Sequence, residues 1–358
     1  MKRALVIARH DGLFCAAVTE GNTATDLYAE SIAVPGLTSA VLRAKVTRTL
    51  PGQGAAIVTW GKGQEGYWAD AKKASAGDWT TLQVKSDAWD GKLPQLTADI
   101  ALTGRFLIHL PQGRGVKFSR RADRSAGARL SAGLPGGWIM RRHAGSASPE
   151  QLQAEAEALL RQAENLRAAD NQAGVILLRP AWRRAIADHG AQLKRIYCAD
   201  FVIEKLLRAW LEDFAPDMLH IIRSESGGLD FDSLFEQIVA PAITLPQGVR
   251  LMIEPTRALC VCDVDSGAMR NPLQANILAA RALARQLRLR NLAGIIIVDF
   301  ISLRTAAERQ KLLVALRDAT LDDPAGVELF GMTKLGLVEM TRARYGPNII
   351  ELRRQTEL

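Results

Sequence analysis

Three aspartates in the last third of the chain have residue types and spacing suited to metal-assisted chemistry. Leu259-Cys260-Val261-Cys262-Asp263-Val264-Asp265 is an apolar run that turns acidic at its end, and Ile295-Ile296-Ile297-Val298-Asp299 is a second. Side chains alternate along a strand, so Asp263 and Asp265 share one face and the two cysteines take the other. The stretch between the runs has helical periodicity, which makes the segment a βαβ unit with parallel strands. Asp263 and Asp299 then both stand at carboxyl ends, the edge where open α/β sheets bind ligands. Carboxylates gathered there repel one another unless a cation compensates them. Magnesium, with manganese as the alternative ion, is content with one or two carboxylates and fills its shell with water and substrate phosphate. Such an ion polarises a phosphodiester and acidifies a bound water. A single acid at a strand end is ordinarily a helix cap or half of an ion pair. A coplanar pair with a third acid across a parallel βαβ favours the metal.

The other candidate motifs are weaker. Gly61-Lys62-Gly63-Gln64-Glu65-Gly66 matches G-x-G-x-x-G, but Tyr67-Trp68 continues as strand, so no helix N-terminus follows to hold phosphate. The five histidines show no H-x-x-x-H spacing. Asp230 and Asp232 fit a helix N-terminus. Four cysteines without a C-x-x-C pair read as buried free thiols, and no structural zinc is expected.

The elements that must position these residues fall into blocks. Ala4–Ala8 and Leu13–Thr19 are strands joined by His10-Asp11-Gly12. Short strands with glycine turns, Ala40–Val46, Gly54–Trp60, Gly66–Ala69 and Trp79–Val84, suggest a small barrel. Trp60, Tyr67, Trp68, Trp79 and Trp89 crowd into that stretch of a chain only 6% aromatic. Ser148-Pro149-Glu150-Gln151 is a capping box opening a long helix. A strand at Gly174–Leu178 and a helix near Phe201–Phe214 follow. The last third reads as strand Ala258–Val264, helix Leu273–Arg290, strand Gly294–Phe300 and helix Ala306–Leu316.

The 358 residues suffice for two or three domains, and 48% hydrophobic with 23% charged residues excludes a disordered or fibrous chain. The longest apolar runs are too short for a bilayer or a signal peptide, so a cytoplasmic chain with no membrane partner is expected. Net charge is +8, and Arg105, Arg114, Lys117, Arg120, Arg121, Arg124, Arg129, Arg141 and Arg142, against Asp123 alone, carry an excess equal to the whole. Arginine outnumbers lysine 34 to 12, which suits bidentate contact with phosphate. A polyanion partner is expected.

The chain resembles the ribonuclease E/G family. The likeness lies foremost in Arg257–Gly267 and in Ala284-Arg285-Gln286-Leu287-Arg288-Leu289-Arg290-Asn291-Leu292-Ala293-Gly294-Ile295-Ile296-Ile297-Val298-Asp299-Phe300-Ile301. It extends through Met1-Lys2-Arg3, Leu96–Arg105, Ser119-Arg120-Arg121 and Leu337–Arg342. The resemblance implies an α+β chain of several subdomains: an RNase H-like scaffold (1–37 and 188–238), an OB-fold RNA-binding barrel (38–104), a basic 5′-end sensor region (105–187) and a DNase I-like α/β catalytic part (239–358). It also implies a magnesium-dependent endoribonuclease that cuts single-stranded RNA to 5′-phosphate and 3′-hydroxyl ends. Asp263 and Asp299 match the metal-holding aspartates. Asp265 stands where the family usually has asparagine and is read as a further ligand or orienting group. Tyr67 matches an aromatic that stacks on a base and Lys92 an RNA-contacting lysine, while Ile57 replaces a neighbouring aromatic. Arg141 matches the arginine that reads a 5′-monophosphate, Arg142 replaces a threonine beside it, and Arg120 and Arg121 add RNA contacts. Ser302 replaces a frequent acid, and the loop from Gly267 to Asn276 is shorter than usual. The paired-cysteine motif that links protomers through zinc is absent, so any oligomer is expected to use another surface.

Two other readings stand beside this one. An RNA-binding protein of the same fold with feeble or lost catalysis would keep the barrel and the basic segment. An unrelated doubly wound enzyme would need a phosphate-binding fingerprint that the chain lacks.

Overall fold

The computed structural model describes residues 3–88, 91–119, 122–129, 134–168 and 172–356. The chain divides into two compact units. The first holds the residues up to Arg9, Phe14–Gly21 and Glu30–Gly227, and the second His10–Leu13, Asn22–Ala29 and the chain from Gly228 onward.

The chain opens on strands β1 (Arg3–His10), β2 (Leu13–Glu20) and β3 (Thr23–Ser31). Asp11 and Gly12 adopt positive φ between the first two, as the turn signal required. Next come β4 (Val41–Leu50), β5 (Ala55–Gly61), β6 (Gln64–Trp68), β7 (Trp79–Ser86) and β8 (Gln95–Thr97). They run in the order β4-β5-β6-β8-β7, and β7 pairs back onto β4, closing a five-stranded barrel of the kind an OB-fold uses. Its core is Leu42, Ala44, Val46, Ala56, Val58, Trp60, Leu82, Val84 and Leu96. The G-x-G-x-x-G run is the β5–β6 hairpin, with Gly63 at φ 72°. Gly66 must be glycine because a Cβ there would sit 2.6 Å from Leu96 Cδ1 and 2.9 Å from Trp60.

Strands β9 (Leu102–Thr103), β10 (Leu107–Leu110), β11 (Gly115–Phe118) and β12 (Gly137–Met140) form a sheet ordered β11-β12-β10-β9. Helix α1 (Pro149–Ala168) starts at the predicted capping box: Gln151 N donates to Ser148 Oγ (3.2 Å) and Ser148 N to Gln151 Oε1 (2.9 Å). Strand β13 (Gly174–Leu177) adds to β4; α2 (Ala181–His189), β14 (Leu193–Cys198), α3 (Phe201–Phe214) and β15 (Ile222–Arg223) follow. Within the first unit β15, β14 and β1 are parallel neighbours.

The second unit contains α4 (Phe231–Val239), capped by Asp230 accepting from Ser233 N as expected. Then come β16 (Ala242–Thr244), β17 (Arg250–Pro255), β18 (Cys260–Asp265), α5 (Pro272–Arg290), β19 (Gly294–Asp299), α6 (Ala306–Thr320), β20 (Val327–Met332), β21 (Val338–Arg342) and α7 (Ile349–Thr356). Strands β18 and β19 are parallel, as the βαβ spacing predicted, but β17 and β21 flank them antiparallel in a six-stranded sheet ordered β16-β17-β18-β19-β21-β20. The sequence reading recovered the parallel centre and missed this mixed edge, since the choice of sheet neighbours leaves no trace in local spacing. Cys260, Cys262, Val264, Ile296, Val298 and Met340 are buried with Ala279, Leu283, Leu287, Leu312 and Leu316 of α5 and α6, so the helices cover one face. All four cysteines are buried free thiols. Among the described residues no helix is long and apolar enough to cross a membrane.

Candidate active site on the open face of the second unit

Alternation along β18 decides what this face carries. Cys260, Cys262 and Val264 are buried, while Val261, Asp263 and Asp265 are exposed. In β19 the same period buries Ile296 and Val298 and exposes Ile295 and Asp299. The ladder sets Asp263 directly beside Asp299, as residue-for-residue partners in the β18–β19 pairing. Neighbouring strands run about 4.8 Å apart, so the two carboxylates stand close on the same face. Among the described residues neither carboxylate has a hydrogen-bond or ion-pair partner.

Asp265 lies on the same face two residues on, and one oxygen of its carboxylate serves its own turn. Its Oδ1 accepts from Gly267 N at 2.9 Å, and its ladder partner on β17 is Arg250. Gly267, at φ 53°, cannot be replaced without moving the turn: a Cβ would fall 2.2 Å from the Gly248 carbonyl oxygen. The register therefore sets Asp263 and Asp299 side by side, with Asp265 further along the same face and tied by one oxygen to the turn. Among the described residues no group of three or more His, Cys, Asp or Glu side chains is arranged around a metal. A pair of open, unpartnered carboxylates suits a hard cation that keeps most of its water, the coordination magnesium prefers. It does not suit a closed all-protein cage. Beneath the pair, the Cys260 and Cys262 sulfurs lie 4.0 Å apart. The hydrogen bond it shares with Cys260, reinforced by burial, holds the Cys262 thiol far above its ordinary range, so it stays a packing group.

One residue that matters here was not singled out from the sequence. Asn276, in the second turn of α5, is completely buried. Its side-chain amide donates to Ile301 O at 2.8 Å, and its Oδ1 accepts from Ile301 N at 3.0 Å. These bonds pin the backbone two residues past Asp299. The signal was present: a polar residue on the core stripe of Ala275, Ala279, Ala280 and Leu283. Around it, Asn271 caps α5 by accepting from Gln274 N, with Pro272 in the first turn. Thr305 and Glu308 form a reciprocal capping box on α6, six residues past Asp299.

The expected RNA contacts lie in the first unit. Tyr67 on β6 is a direct ladder partner of Ile57, and its hydroxyl donates to Gln53 Oε1 at 3.2 Å. Tyr67 N donates to the Pro94 carbonyl, which holds the exposed Lys92 segment alongside β6. Ile57 is 7% exposed, so it adds little surface beside the ring.

The basic segment is less free than its charge count suggests. Arg105 is buried, with its guanidinium forked onto Asp217 at 2.8 and 3.0 Å, and Glu155 beside it. Arg141 donates through Nη2 to Asp188 Oδ1 at 2.8 Å and through Nη1 to the Gly104 and Ala187 carbonyls. Asp188 is itself only 4% exposed, so the arginine matched to phosphate reading is also a structural tie. Arg142 donates to His143 Nε2 from Nε at 3.1 Å. Arg114, Lys117 and Arg124 are exposed, whereas Arg120 and Arg121 lie outside the described residues.

The Ribonuclease E/G family pattern matches residues 101–345. The chain is 34% identical to a protein named Ribonuclease E from Nostoc sp. over 306 residues, which covers 76% of this chain and 44% of that one. A Ribonuclease E from Synechocystis sp. is 31% identical with the same coverage. A Ribonuclease G from Escherichia coli (strain K12) is 28% identical across 92% of this chain and 77% of its own length. The chain thus spans less than half the length of the two ribonuclease E relatives.

Proposed function

The chain belongs to the ribonuclease E/G family, and from that premise we propose that it is an endoribonuclease that hydrolyses phosphodiester bonds of single-stranded RNA with the help of magnesium. The products are 5′-phosphate and 3′-hydroxyl ends, and the setting is cytoplasmic RNA processing or decay. The observation that carries the reading is the side-by-side register of Asp263 and Asp299, two carboxylates without partners on the open face of the sheet.

Asp263 and Asp299 would hold the ion, which when bound polarises the scissile phosphate and lowers the pKa of a water to make the attacking hydroxide. Asp265 orders the turn after β18 and keeps Asp263 at the sheet's edge. Asn276 fixes the backbone after Asp299, so that the carboxylate does not drift as charge develops on the phosphate. In the barrel, Tyr67 offers a ring for a base and Lys92 a cation for the backbone, which gives affinity without selecting a base. The basic segment adds sequence-independent attraction for phosphate, with Arg120, Arg121 and Arg142 contributing and Arg141 both reading a 5′-monophosphate and holding that region in shape. The finer division into an RNase H-like scaffold, a sensor region and a DNase I-like catalytic part belongs to this proposal.

The competing reading, an RNA-binding protein with weak or lost catalysis, gives the two unpartnered carboxylates little or no role. Incubating a 5′-monophosphorylated single-stranded RNA with the protein, with and without magnesium, separates the two. Cutting that requires the ion, with 5′-phosphate on the downstream product, is the expected result. Binding without cutting over a panel of RNAs would replace the proposal by its competitor.

A further inference from the structure

Tyr67 does not use up the aromatic side chains of the barrel. Trp68 follows it in β6 and therefore faces the other way. Trp68 and Trp79, the latter at the start of β7, line a cleft of about 620 Å³ that the 69–78 connection closes on one side. Both indoles are half-buried, and Trp68 packs against the barrel core. The rim is cationic. Lys72 and Lys73 are exposed on it, and Lys45, the β4 partner of Trp79, holds its Nζ 5.9 Å from the Trp79 ring centre. Two acids share the cleft with these three lysines: Asp78 Oδ2 accepts from Ser75 N at 2.7 Å, and Asp70 lies 3.8 Å from Lys72. Among the described residues Lys45 and Lys73 pair with no carboxylate.

A cleft of this size falls within the range of roughly 300–1,000 Å³ that binds organic ligands. Flat indole walls suit an aromatic ring, and a lysine rim suits phosphate on either side of it. We propose that the cleft is a second RNA-binding site on the barrel, separate from Tyr67, in which one base of a single-stranded RNA lies against Trp79 and Trp68 while Lys72 and Lys73 hold the flanking phosphates. The proposal rests on the reading that the chain acts on RNA. It adds that the strand is gripped at two places on the barrel, so affinity rises with strand length beyond a single stacked base.

The test is the affinity of a labelled short RNA, followed by fluorescence anisotropy without added metal so that the strand stays intact. Trp79→Leu keeps an apolar side chain and removes the stacking face; K72E with K73E changes only exposed positions. Each is expected to weaken binding about fivefold or more, as losing one stacked base does. The lysine pair is also expected to shallow the salt dependence, by about 0.7 in log–log slope for each phosphate that is no longer neutralised. Y67L is expected to weaken binding at the other site. Wild-type affinity in both cleft variants, with Y67L weakened, overturns the cleft and leaves RNA cleavage standing. Saturation by adenosine monophosphate at concentrations as low as the oligonucleotide needs would overturn it too, because the site would then be a free-nucleotide pocket. No RNA binding by the wild-type protein would overturn the cleft together with the reading beneath it.

Discussion

Asp263 and Asp299 are direct partners across the parallel β18–β19 ladder, and both point away from the helices that cover the sheet's other face. That relationship follows from a chain of simple causes. An apolar run of period two buries every second side chain, and a crossover helix makes the two strands parallel. The register then aligns the last residue of β19 with the fourth of β18. The two charges remain unneutralised by the protein, so the repulsion between them favours any cation the site receives.

Asn276 holds this arrangement from behind. Asn276→Ala would leave the Ile301 N–H and carbonyl, both near the core, without partners, at a cost of about 2–4 kcal/mol in stability. A slackened Asp299 should show chiefly in turnover, with kcat falling about tenfold to a hundredfold. KM for RNA should hold, since the barrel surfaces proposed to bind it are untouched. Denaturant melts and steady-state kinetics on the folded variant measure both. A drop in stability with unchanged kcat would make Asn276 a packing residue only.

Arg141 should behave as a structural residue as well as a phosphate reader. Removing it takes away the 2.8 Å ion pair to Asp188, a side chain that is almost fully buried. Arg141→Ala should cost about 2–4 kcal/mol, somewhat below the full cost of breaking a buried pair because the arginine keeps some exposure. Asp188→Ala should destabilise similarly, although it touches no phosphate. Thermal melts of the two variants beside the wild type check this; an Arg141→Ala protein as stable as wild type would contradict it.

Much of this was legible in the sequence, and the remainder was hidden for definite reasons. The β18–α5–β19 unit, the barrel strands and the cap at Ser148 follow local rules of period and capping, and each was found where those rules put it. The antiparallel partners β17 and β21 were missed because sheet neighbours are chosen by tertiary pairing, which leaves no trace in local spacing. Strand alternation places Asp265 on the face of Asp263, as its reading as a further ligand or orienting group requires. Alternation carries no information about the turn hydrogen bond to Gly267 that engages its carboxylate. Charge counting overstated the basic segment, since a count cannot tell that Arg105 and Arg141 are engaged by Asp217 and Asp188.

The Arg105–Asp217 fork gives a pH-dependent stability. Burial opposes ionisation of Asp217, but the guanidinium's hydrogen bonds and charge outweigh it and hold the carboxyl below its usual value. A carboxyl depressed in the folded state contributes stability above its unfolded pKa, about 3.9, and loses that contribution as the pH falls further. Denaturant melts between neutral pH and about pH 3 should therefore show a steeper acid loss in the wild type than in Asp217→Asn. Parallel acid limbs would mean that the fork contributes nothing.

The most direct test of the central claim is single-turnover cleavage of a single-stranded RNA by Asp263→Asn and Asp299→Asn, with metal-free RNA affinity measured alongside. Each substitution removes one charge of the pair without changing its shape. The account predicts a loss of about a thousandfold or more in rate for either variant, of the order seen when a charge-stabilising group is removed from an active site. RNA affinity should stay within about twofold, because the phosphate and base contacts that set it are not at these residues. Cleavage by both variants at near wild-type rates would contradict the account and move the chemistry elsewhere in the chain.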